Sequence, residues 1–467
     1  MKGTVAIAAV LLGWLAACST SSEDGAGGPG AEDPDAAAPA ADAGAAPDTH
    51  VPGDGGTPEV PVDPALVPVV CASEPCVVQI DAKSGTHACA RRSDGKMACW
   101  GNGSSGQLGA DPSTTPPIDG GAPFGSEAVL VAGLPPVIDV AVGGNGYVNA
   151  GTGAGSIGMN GNTCARTADG SVYCWGANGT AFEGVTRSNG WTPAKMPFPP
   201  AKALELGNEI VCVLDFAGVP VCSGGNEYGD VLVPSYTNTK APRAVITGGG
   251  PCVQLEGSAR NVLCVEETGR VYAWGFGRSL FPDEVRSDVE PSLLGRISSL
   301  EAAPAALVPS LANVTSVSAS WSTACALSNG KVLCWGRGEL GQLGIGVRTY
   351  QTEPQPVRSV PGDYFKQVAA GWDVTCAVTA SGDLYCWGSN SRGQLGRTDI
   401  FDSISPIKLD GLPQIVQVAV LEESVCALAK SGEVLCWGAN DRGQLARGTV
   451  DTDVHPDPRP ITWGPAQ

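Results

Sequence analysis

Histidine and cysteine are the residues of this 467-residue chain best suited to chemistry, and they differ sharply in number. There are three histidines, at His50, His87 and His455. A Ser-His-Asp or Cys-His site needs a histidine beside its nucleophile, and this sequence offers few places to build one. There are seventeen cysteines, and most of them are regularly spaced. The sequence therefore favours disulfide chemistry over nucleophilic catalysis.

Six pairs of cysteines straddle a glycine-containing turn, and the two cysteines of each pair are nine or ten positions apart in sequence. Residues that face each other on antiparallel strands are about 4.5–5.5 Å apart at Cα, which suits a disulfide. The expected pairs are Cys89–Cys99, Cys164–Cys174, Cys212–Cys222, Cys325–Cys334, Cys376–Cys386 and Cys426–Cys436. By elimination, Cys252 is expected to pair with Cys264, and Cys71 with Cys76. The alternative, in which hairpin cysteines are reduced and act as small buried apolar residues, stays open.

Cofactor motifs are weak in this chain. The hairpin cysteine spacings are too long for the short ligand pairs of a zinc site. The stretch GNGSSG at 101–106 matches a dinucleotide-binding glycine pattern, but it follows a strand pattern and opens no helix. The stretch DTDVHPD at 451–457 lacks the glycine and the distal glutamate of a calcium loop. We therefore predict no metal, no cofactor and no catalytic residue, and a protein that is not an enzyme.

Seven copies of one short pattern position these cysteines. Each copy has an apolar strand, a tight turn with Asp-Gly, Ser-Gly or Asn-Gly in most cases, and a second strand that usually ends in Trp-Gly. The copies lie at 89–101, 164–176, 212–224, 264–275, 325–336, 376–388 and 426–438. Such turns between alternating residues indicate β-hairpins. A further apolar strand precedes each hairpin, and a proline-flanked strand lies before that, as at 353–360.

Four short strands in each unit, repeated about every fifty residues, are typical of a propeller. One blade cannot bury both of its faces, so the blades must cover each other. The tryptophan of the repeat is predicted to lie in the core between blades, with Ser223 replacing it in the third unit. The Gly-Gln-Leu-Gly element, as at 341–344, is expected to shape the turn after each hairpin. The stretch around 290–303 is the one place where a helix is considered.

The pattern CALxxxGxxxCWGxNxxGQLG resembles the regulator of chromosome condensation repeat family over roughly residues 67–467. The resemblance implies an all-β fold: a seven-bladed β-propeller of four-stranded antiparallel blades, closed by N- and C-terminal strands. The segment 457–463 looks like a proline-flanked outer strand, whereas the first blade begins at 77–80 and shows no such strand before it. We therefore expect the C-terminal strand to complete blade one.

The N-terminus has the pattern of an export signal over residues 1–17, with Lys2 followed by an apolar stretch too short to span a bilayer. Its end, Leu-Ala-Ala-Cys, resembles the bacterial lipoprotein signal. That resemblance implies a lipid anchor on Cys18 and, with Ser19 next, sorting to the bacterial outer membrane, facing the periplasm or the cell surface. Ordinary secretion with loss of Cys18 is the alternative. Residues 18–66, rich in Ala, Gly, Pro and Asp, are predicted to be a disordered tether.

One set of loops breaks the repetition, between the inner strand and the first hairpin cysteine of each unit. These loops are expected to emerge on one face, and variation concentrated in the loops of a repeated scaffold is typical of a binding function. The residues singled out are Trp321, Trp372, Asp373, Glu422, Glu423 and Tyr147, with Asn208 and Glu209 at the same loop of the third unit. Tryptophan and tyrosine are common interface anchors. The alternative, in which Trp321 and Trp372 simply pack on adjacent strands, stays open.

The charge of the chain narrows the choice of partner. A chain with a formal net charge of −19 lacks the excess of positive charge that is typical of nucleic-acid-binding proteins. The prediction is a monomeric, membrane-anchored extracytoplasmic scaffold that binds a protein or glycan at one face. One alternative is a propeller hydrolase or lyase acting on cell-surface polysaccharide. A second, implied by the resemblance, is guanine-nucleotide exchange, which the export signal and the acidity disfavour.

Overall fold

The structure is a computed structural model. It describes residues 68–83, 85–111, 124–145, 160–177, 190–207, 210–226, 239–258, 260–277, 292–300, 302–360 and 364–464. The predicted signal peptide and tether, including Cys18, lie outside the described residues, as do Tyr147, Asn208 and Glu209. In the described part of the chain, no helix is long and apolar enough to cross a membrane.

Twenty-eight strands account for the regular structure of the described residues. Their bounds are β1 (Val77–Asp81), β2 (His87–Arg92), β3 (Met97–Asn102), β4 (Phe124–Leu130), β5 (Val137–Asn145), β6 (Asn160–Thr167), β7 (Val172–Gly176), β8 (Ala194–Lys195), β9 (Ala201–Leu206), β10 (Ile210–Asp215), β11 (Pro220–Gly224), β12 (Thr239–Ala244), β13 (Cys252–Gly257), β14 (Asn261–Glu266), β15 (Val271–Phe276), β16 (Ala302–Leu307), β17 (Val314–Ala319), β18 (Thr323–Ser328), β19 (Lys331–Gly336), β20 (Gln351–Pro356), β21 (Phe365–Ala370), β22 (Val374–Thr379), β23 (Leu384–Ser389), β24 (Asp402–Lys408), β25 (Ile415–Val420), β26 (Ser424–Ala429), β27 (Val434–Asn440) and β28 (Asp451–Pro460).

The strands form seven antiparallel sheets of four, each made of four consecutive strands. In every sheet the first strand is innermost and contacts the first strand of the next sheet, from β1 to β5 and onward to β25. Strand β25 in turn contacts β1, so the sheets close into a ring. The predicted all-β, seven-bladed propeller is confirmed.

The central hairpin of most blades is held in a register that places cysteine opposite cysteine. Cys376 and Cys386 are direct Cα partners across β22 and β23, and five other blades repeat this pairing. The turn between the two strands needs a glycine with positive φ, for example Gly382 at 87°, because that backbone region is strained for other residues. Turn chemistry and strand pattern therefore agree on one register.

The repeat tryptophans form the core between blades, as predicted. All six of them, Trp100, Trp175, Trp274, Trp335, Trp387 and Trp437, are fully buried. The indole N–H of Trp175 donates to the main-chain oxygen of Gln107 at 2.9 Å, and that of Trp387 donates to Gln342 at 2.9 Å. Each acceptor belongs to the Gly-Gln-Leu-Gly element of the preceding blade. This element therefore does more than shape a turn, because its main-chain oxygen accepts the hydrogen bond of the buried indole N–H in the next blade.

Inner-strand glutamines add a second link between blades. The side-chain amide of Gln254 donates to the Val317 oxygen at 2.9 Å and accepts from the Val317 N–H at 3.0 Å. Gln367 makes the same pair of bonds with Val418. Since an inner strand faces the axis on one side, these side chains satisfy main-chain groups that no strand partner reaches.

The assignment of the C-terminal strand to blade one is wrong. Strand β28 pairs with β27 in the seventh blade, and blade one has its own outer strand, β4. Each proline-flanked strand belongs to the blade of the hairpin before it in sequence, as β20 pairs with β19. It does not belong to the blade of the inner strand that follows. Residues of blades one and seven nevertheless bond to each other where the ring closes. The Ala128 N–H of β4 donates to the Thr462 main-chain oxygen at 2.9 Å, and the Val70 N–H donates to the Lys430 main-chain oxygen at 2.7 Å.

The stretch considered for a helix also differs from expectation. Residues 292–300 are irregular, and the segment continues into β16. The Leu293 oxygen accepts the indole N–H of Trp335 at 3.0 Å. This segment thus takes the place that Gly-Gln-Leu-Gly holds in other blades, which requires a turn and not a helix.

Candidate functional site

The upper face of the propeller is defined here by the loops that join the first to the second strand and the third to the fourth strand of each blade. In a blade of consecutive antiparallel strands these two loops lie at the same end. Main-chain bonds join them, as where the Ser389 N–H donates to Asp373 at 2.7 Å and the Ala439 N–H donates to Glu423 at 2.9 Å. Five of the residues predicted for binding lie together on this face: Trp321, Trp372, Asp373, Glu422 and Glu423.

Trp321 and Trp372 contact each other across the join between blades five and six. Their ring centroids are 6.0 Å apart, with 34° between the ring planes. Both side chains are partly exposed, in contrast to the fully buried tryptophans of the repeat. Together they form an aromatic pair that packs on itself and still reaches solvent.

The loops that carry the aromatic pair are tied together by main-chain acceptors. The Ser320 hydroxyl donates to the Gly371 oxygen at 2.5 Å, and the Ser322 hydroxyl donates to the Trp372 oxygen at 3.2 Å. Both serines are buried. The two tryptophans are thus presented by loops with little freedom, which lowers the entropic cost of binding a ligand.

Asp373 is the carboxylate next to the aromatic pair in sequence. Its Oδ1 is buried and has no hydrogen-bond partner among the described residues. Burial raises the pKa of Asp373 above its usual value, the positive charge of Arg337 opposes the rise, and Glu423 and Glu339 add to it. A buried acceptor without a donor is costly, and Asp373 as a residue is partly exposed, so its carboxyl group is a position where a donor from a ligand would be favourable.

The two glutamates of blade seven are held by arginines that follow the Trp-Gly motifs. Glu423 lies 3.4 Å from Arg392 of blade six, and Glu422 lies 3.3 Å from Arg442 of its own blade. Burial raises the pKa of Glu422, and Arg442 opposes that rise. The Arg392–Glu423 pair is partly exposed, and such pairs stabilise weakly, so its side chains are available for exchange with an incoming partner; the Arg442–Glu422 pair is more buried.

A charged cluster near the axis was not singled out from the sequence. Lys83, just beyond β1, donates to Glu205 of blade three and lies 3.0 Å from Glu256 of blade four. Asp81 accepts the Val142 N–H at 2.5 Å, and Glu256 accepts the N–H of Ala319 at 2.8 Å. One lysine therefore bridges three blades at the upper ends of their inner strands.

The cluster holds more carboxyl groups than cations, and its protonation reflects this. Burial raises the pKa of Asp81 to about 7, with Glu205 adding to the rise and Lys83 opposing it. Burial likewise raises the pKa of Glu205 to about 8 and raises that of Glu256. Burial alone would lower the pKa of Lys83, but the attraction of Glu205 and Glu256 prevails and raises it. Lys83 therefore stays charged while some of the acids retain protons near neutral pH.

A weak sequence signal for this cluster exists. Asp81, Glu205 and Glu256 each come two residues after the middle of an inner strand, where other blades have alanine or serine, as at Ala369 and Ser318. Charged residues at that position break an apolar alternation. Their meeting with Lys83 depends on the closed ring, which strand patterns alone do not describe.

The described cysteines pair as the hairpin register requires. Eight disulfides join them, including Cys71–Cys76 and Cys252–Cys264, and the six hairpin pairs have Cα atoms 4.1–4.2 Å apart. Among the described residues, the one convergence of potential metal ligands is Cys71, Glu74 and Cys76, whose two sulfurs are bonded to each other. That group therefore has no thiolate to offer a metal.

His87 has a structural environment. Its ring Nε2 lies 2.9 Å from the Thr163 hydroxyl of blade two. Burial lowers the pKa of His87 to about 3, so the ring is neutral at physiological pH. His87 is therefore a neutral residue that links two blades.

Comparison with known families identifies the repeat. A family model described as "Regulator of chromosome condensation (RCC1) repeat" matches in two forms, which fall on blade one and on blades five to seven. The first form matches residues 77–107, 314–342, 365–394 and 415–444. The second matches 329–378 and 381–428.

Curated relatives match over part of their length. The ultraviolet-B receptor UVR8 of Arabidopsis thaliana is 27% identical over 256 residues, which are 53% of this chain and 56% of that protein. The human E3 ubiquitin-protein ligase HERC2 is 32% identical over 172 residues, 36% of this chain and 3% of that protein. The chain thus spans about half of one relative and a small part of the other.

Solved structures agree on the fold. Prp20p from Saccharomyces cerevisiae, whose structure was determined with its binding properties to Gsp1p and histones, aligns with a TM-score of 0.64 at 22% identity, covering 83% of this chain and 87% of that one. Human WBSCR16 aligns with a TM-score of 0.63 at 20% identity, covering 79% and 94%. At such identities the likeness extends to the fold alone.

Proposed function

We propose that this chain, which carries regulator of chromosome condensation repeats in a seven-bladed propeller, is a non-enzymatic binding scaffold that uses its upper face to hold a protein or glycan. The proposal includes anchoring at the bacterial outer membrane through lipid on Cys18. The repeat supplies a rigid ring, and the residues that depart from the repeat supply the site.

The observation that carries the proposal is the aromatic pair of Trp321 and Trp372. Two tryptophans with centroids 6.0 Å apart, partly exposed on neighbouring blades, lie beside a buried carboxylate oxygen of Asp373 that has no described partner. Aromatic anchors in a rigid frame with a few placed polar groups are typical of binding sites. The six repeat tryptophans need no such exposure, because their indoles are packed between blades.

Retention of an envelope ligand tests the role of the upper face. The full-length chain is immobilised and exposed to solubilised cell-envelope material, in parallel with Trp321→Ala/Trp372→Ala. Phe216→Ala serves as the control, because Phe216 is a large exposed side chain in the β10–β11 turn at the opposite end of a blade. We expect a component that both the wild type and the control retain and the double variant loses. Equal retention by a folded double variant would contradict the proposal.

The lipid anchor is tested separately. We expect the mature N-terminal peptide to begin at Cys18 with an acyl modification visible by mass spectrometry. We expect Cys18→Ala to move the chain from the membrane fraction to the soluble fraction. An unmodified N-terminus, or membrane association that survives Cys18→Ala, would refute the anchoring without affecting the binding face.

A further inference from the structure

The charges around the aromatic pair identify the class of ligand, on the premise that the upper face is the binding face proposed above. Two carboxylates, Glu423 and Glu339, lie close enough to Asp373 to repel its negative charge. Two arginines lie among them, and each is close to one acid: Arg337 is 2.9 Å from Glu339, and Arg392 is 3.4 Å from Glu423. The third carboxylate, Asp373, has an oxygen that no described donor reaches.

An incoming cation would stabilise Asp373 in two ways, by a hydrogen bond and by its positive charge. A charged N–H could bond to the carboxyl group of Asp373, a residue that is partly exposed, and charge-assisted bonds of this kind are stronger than neutral ones. The same positive charge would reduce the repulsion that Glu423 and Glu339 exert on Asp373. A neutral hydroxyl of a sugar could also donate a hydrogen bond to Asp373, but it would not reduce this repulsion. The local charge thus favours a cationic ligand over a neutral glycan.

The aromatic pair suits the same class of ligand. An ammonium or guanidinium group is attracted to the face of an indole, and the attraction is larger where water is partly excluded. Trp321 and Trp372 are both partly buried, and their planes are inclined by 34°, so the pair does not present one flat platform. A compact cation can approach one ring face while it bonds to a carboxylate beside it.

We infer that the site formed by Trp321, Trp372 and Asp373 takes a lysine or arginine side chain from a basic segment of a partner protein. The formal net charge of −19 on the chain acts in the same direction, because it draws basic segments toward the surface. The residues of the site belong to two loops of neighbouring blades, β17–β18 and β21–β22, and the two tryptophans stand where blade seven carries Glu422.

A matched pair of peptides tests this inference on the full-length chain. A short fluorescein-labelled Gly-Ser peptide with spaced arginines is compared by anisotropy with the same peptide in which citrulline replaces every arginine. Citrulline keeps the shape and loses the charge. We expect the arginine peptide to bind at least about tenfold more tightly, since a tenfold ratio corresponds to one good charge-assisted contact. We also expect its binding to weaken as salt is added.

Variants then assign the contact to these residues. Asp373→Asn is expected to lower affinity for the arginine peptide about tenfold and to remove the preference over citrulline. Asp402→Asn is the control, because Asp402 is an acid in an exposed ion pair with Arg348 at 2.6 Å. Trp321→Ala/Trp372→Ala is expected to abolish binding of the arginine peptide. The comparison of arginine with citrulline uses the wild-type chain, so it does not depend on the folding of any variant.

The outcomes separate this inference from the proposed function. Equal binding of the two peptides would overturn the inference. Binding of a neutral oligosaccharide that resists salt and is lost in the double tryptophan variant would overturn the inference and leave the upper face as the binding face. Retention of the envelope ligand by a folded double tryptophan variant would remove the proposed function itself.

Discussion

The indole Nε1–H of Trp100 donates a 3.0 Å hydrogen bond to the main-chain oxygen of Gln444, joining two residues that are 344 positions apart in sequence. Trp100 belongs to blade one and Gln444 to blade seven, so this bond lies across the join that closes the ring. It repeats the bond that Trp437 makes to Gln394 at 2.8 Å between blades six and seven. The join is therefore built like the other blade contacts and not as a special seam.

Replacing Trp100 with phenylalanine is expected to weaken the join. The variant Trp100→Phe loses the hydrogen bond to Gln444, leaves a buried carbonyl without its donor and shrinks a fully buried side chain. We expect a loss of roughly 2–4 kcal/mol in the free energy of unfolding, measured by denaturant titration. Trp463→Phe, at a side chain that is 43% exposed, should change stability little. A Trp100→Phe protein as stable as the wild type would contradict this account of closure.

The number of blades and their hairpins could be predicted from the sequence because each unit carries its own turn and its own alternation. The Asp-Gly, Ser-Gly and Asn-Gly turns fix hairpin register locally, and the buried tryptophan needs nothing beyond the adjacent blade. The blade to which each outer strand belongs could not be predicted in this way. A repeat has no beginning, and a proline-flanked edge strand fits equally well before or after its hairpin, so β28 was placed in the wrong blade.

The candidate site was predicted in part. Comparison of the same loop across the seven units pointed to Trp321, Trp372 and the acids beside them, because these residues differ from the repeated pattern. The bridge from Lys83 to Glu205 and Glu256 was missed, since it joins first strands of blades that are not neighbours. The acids break the pattern of their own strands, but nothing in one unit indicates that they meet Lys83, because that contact exists once the ring is closed.

Removing the carboxyl of Asp81 is expected to change how stability depends on pH. Burial raises the pKa of Asp81 from its usual 3.8 to about 7 in the folded chain. Between those values the folded state keeps a proton that the unfolded state releases, so the contribution of Asp81 to stability falls as pH rises. Asp81→Asn lacks this loss and should gain stability relative to the wild type between about pH 4 and pH 7.

Urea unfolding of both proteins across that pH interval measures the effect. Asp410→Asn is the control, because Asp410 is exposed, and its stability should follow that of the wild type. A constant difference in stability between Asp81→Asn and wild type from pH 4 to pH 7 would show that Asp81 does not titrate as described.

The sixteen cysteines from Cys71 to Cys436 are expected to be oxidised in the purified protein. Alkylation of the denatured, unreduced chain should find no free thiol among them, with mass spectrometry as the readout. Loss of one cross-hairpin bond, as in Cys376→Ala/Cys386→Ala, should lower the free energy of unfolding by about 2–3 kcal/mol, because a loop of ten residues is no longer closed in the unfolded chain. Free thiols in stoichiometric amount would support the alternative of reduced, packed cysteines.

Substitution of Gly388 is expected to disturb the loop that carries Trp372. Gly388 ends a Trp-Gly motif with φ of +104°, and a Cβ there would collide with the main-chain oxygen of Asp373. Gly411 is a matched control with φ of +80° and no atom near the position of a Cβ. We expect Gly411→Ala to cost about 1 kcal/mol for the strained backbone and Gly388→Ala to cost more, with a change in tryptophan fluorescence. Equal costs would show that the loop yields without strain.

The order of the blades along the chain has a consequence for biosynthesis. The apolar side of blade one that packs on blade seven, including Ile80 and Trp100, shares its core with Val416, Leu428 and Ile461. A nascent chain therefore carries an uncovered apolar edge from its first completed blade until blade seven has emerged. Every premature stop before blade seven leaves that edge open, so the ring closes last and the emerging chain needs shielding until then.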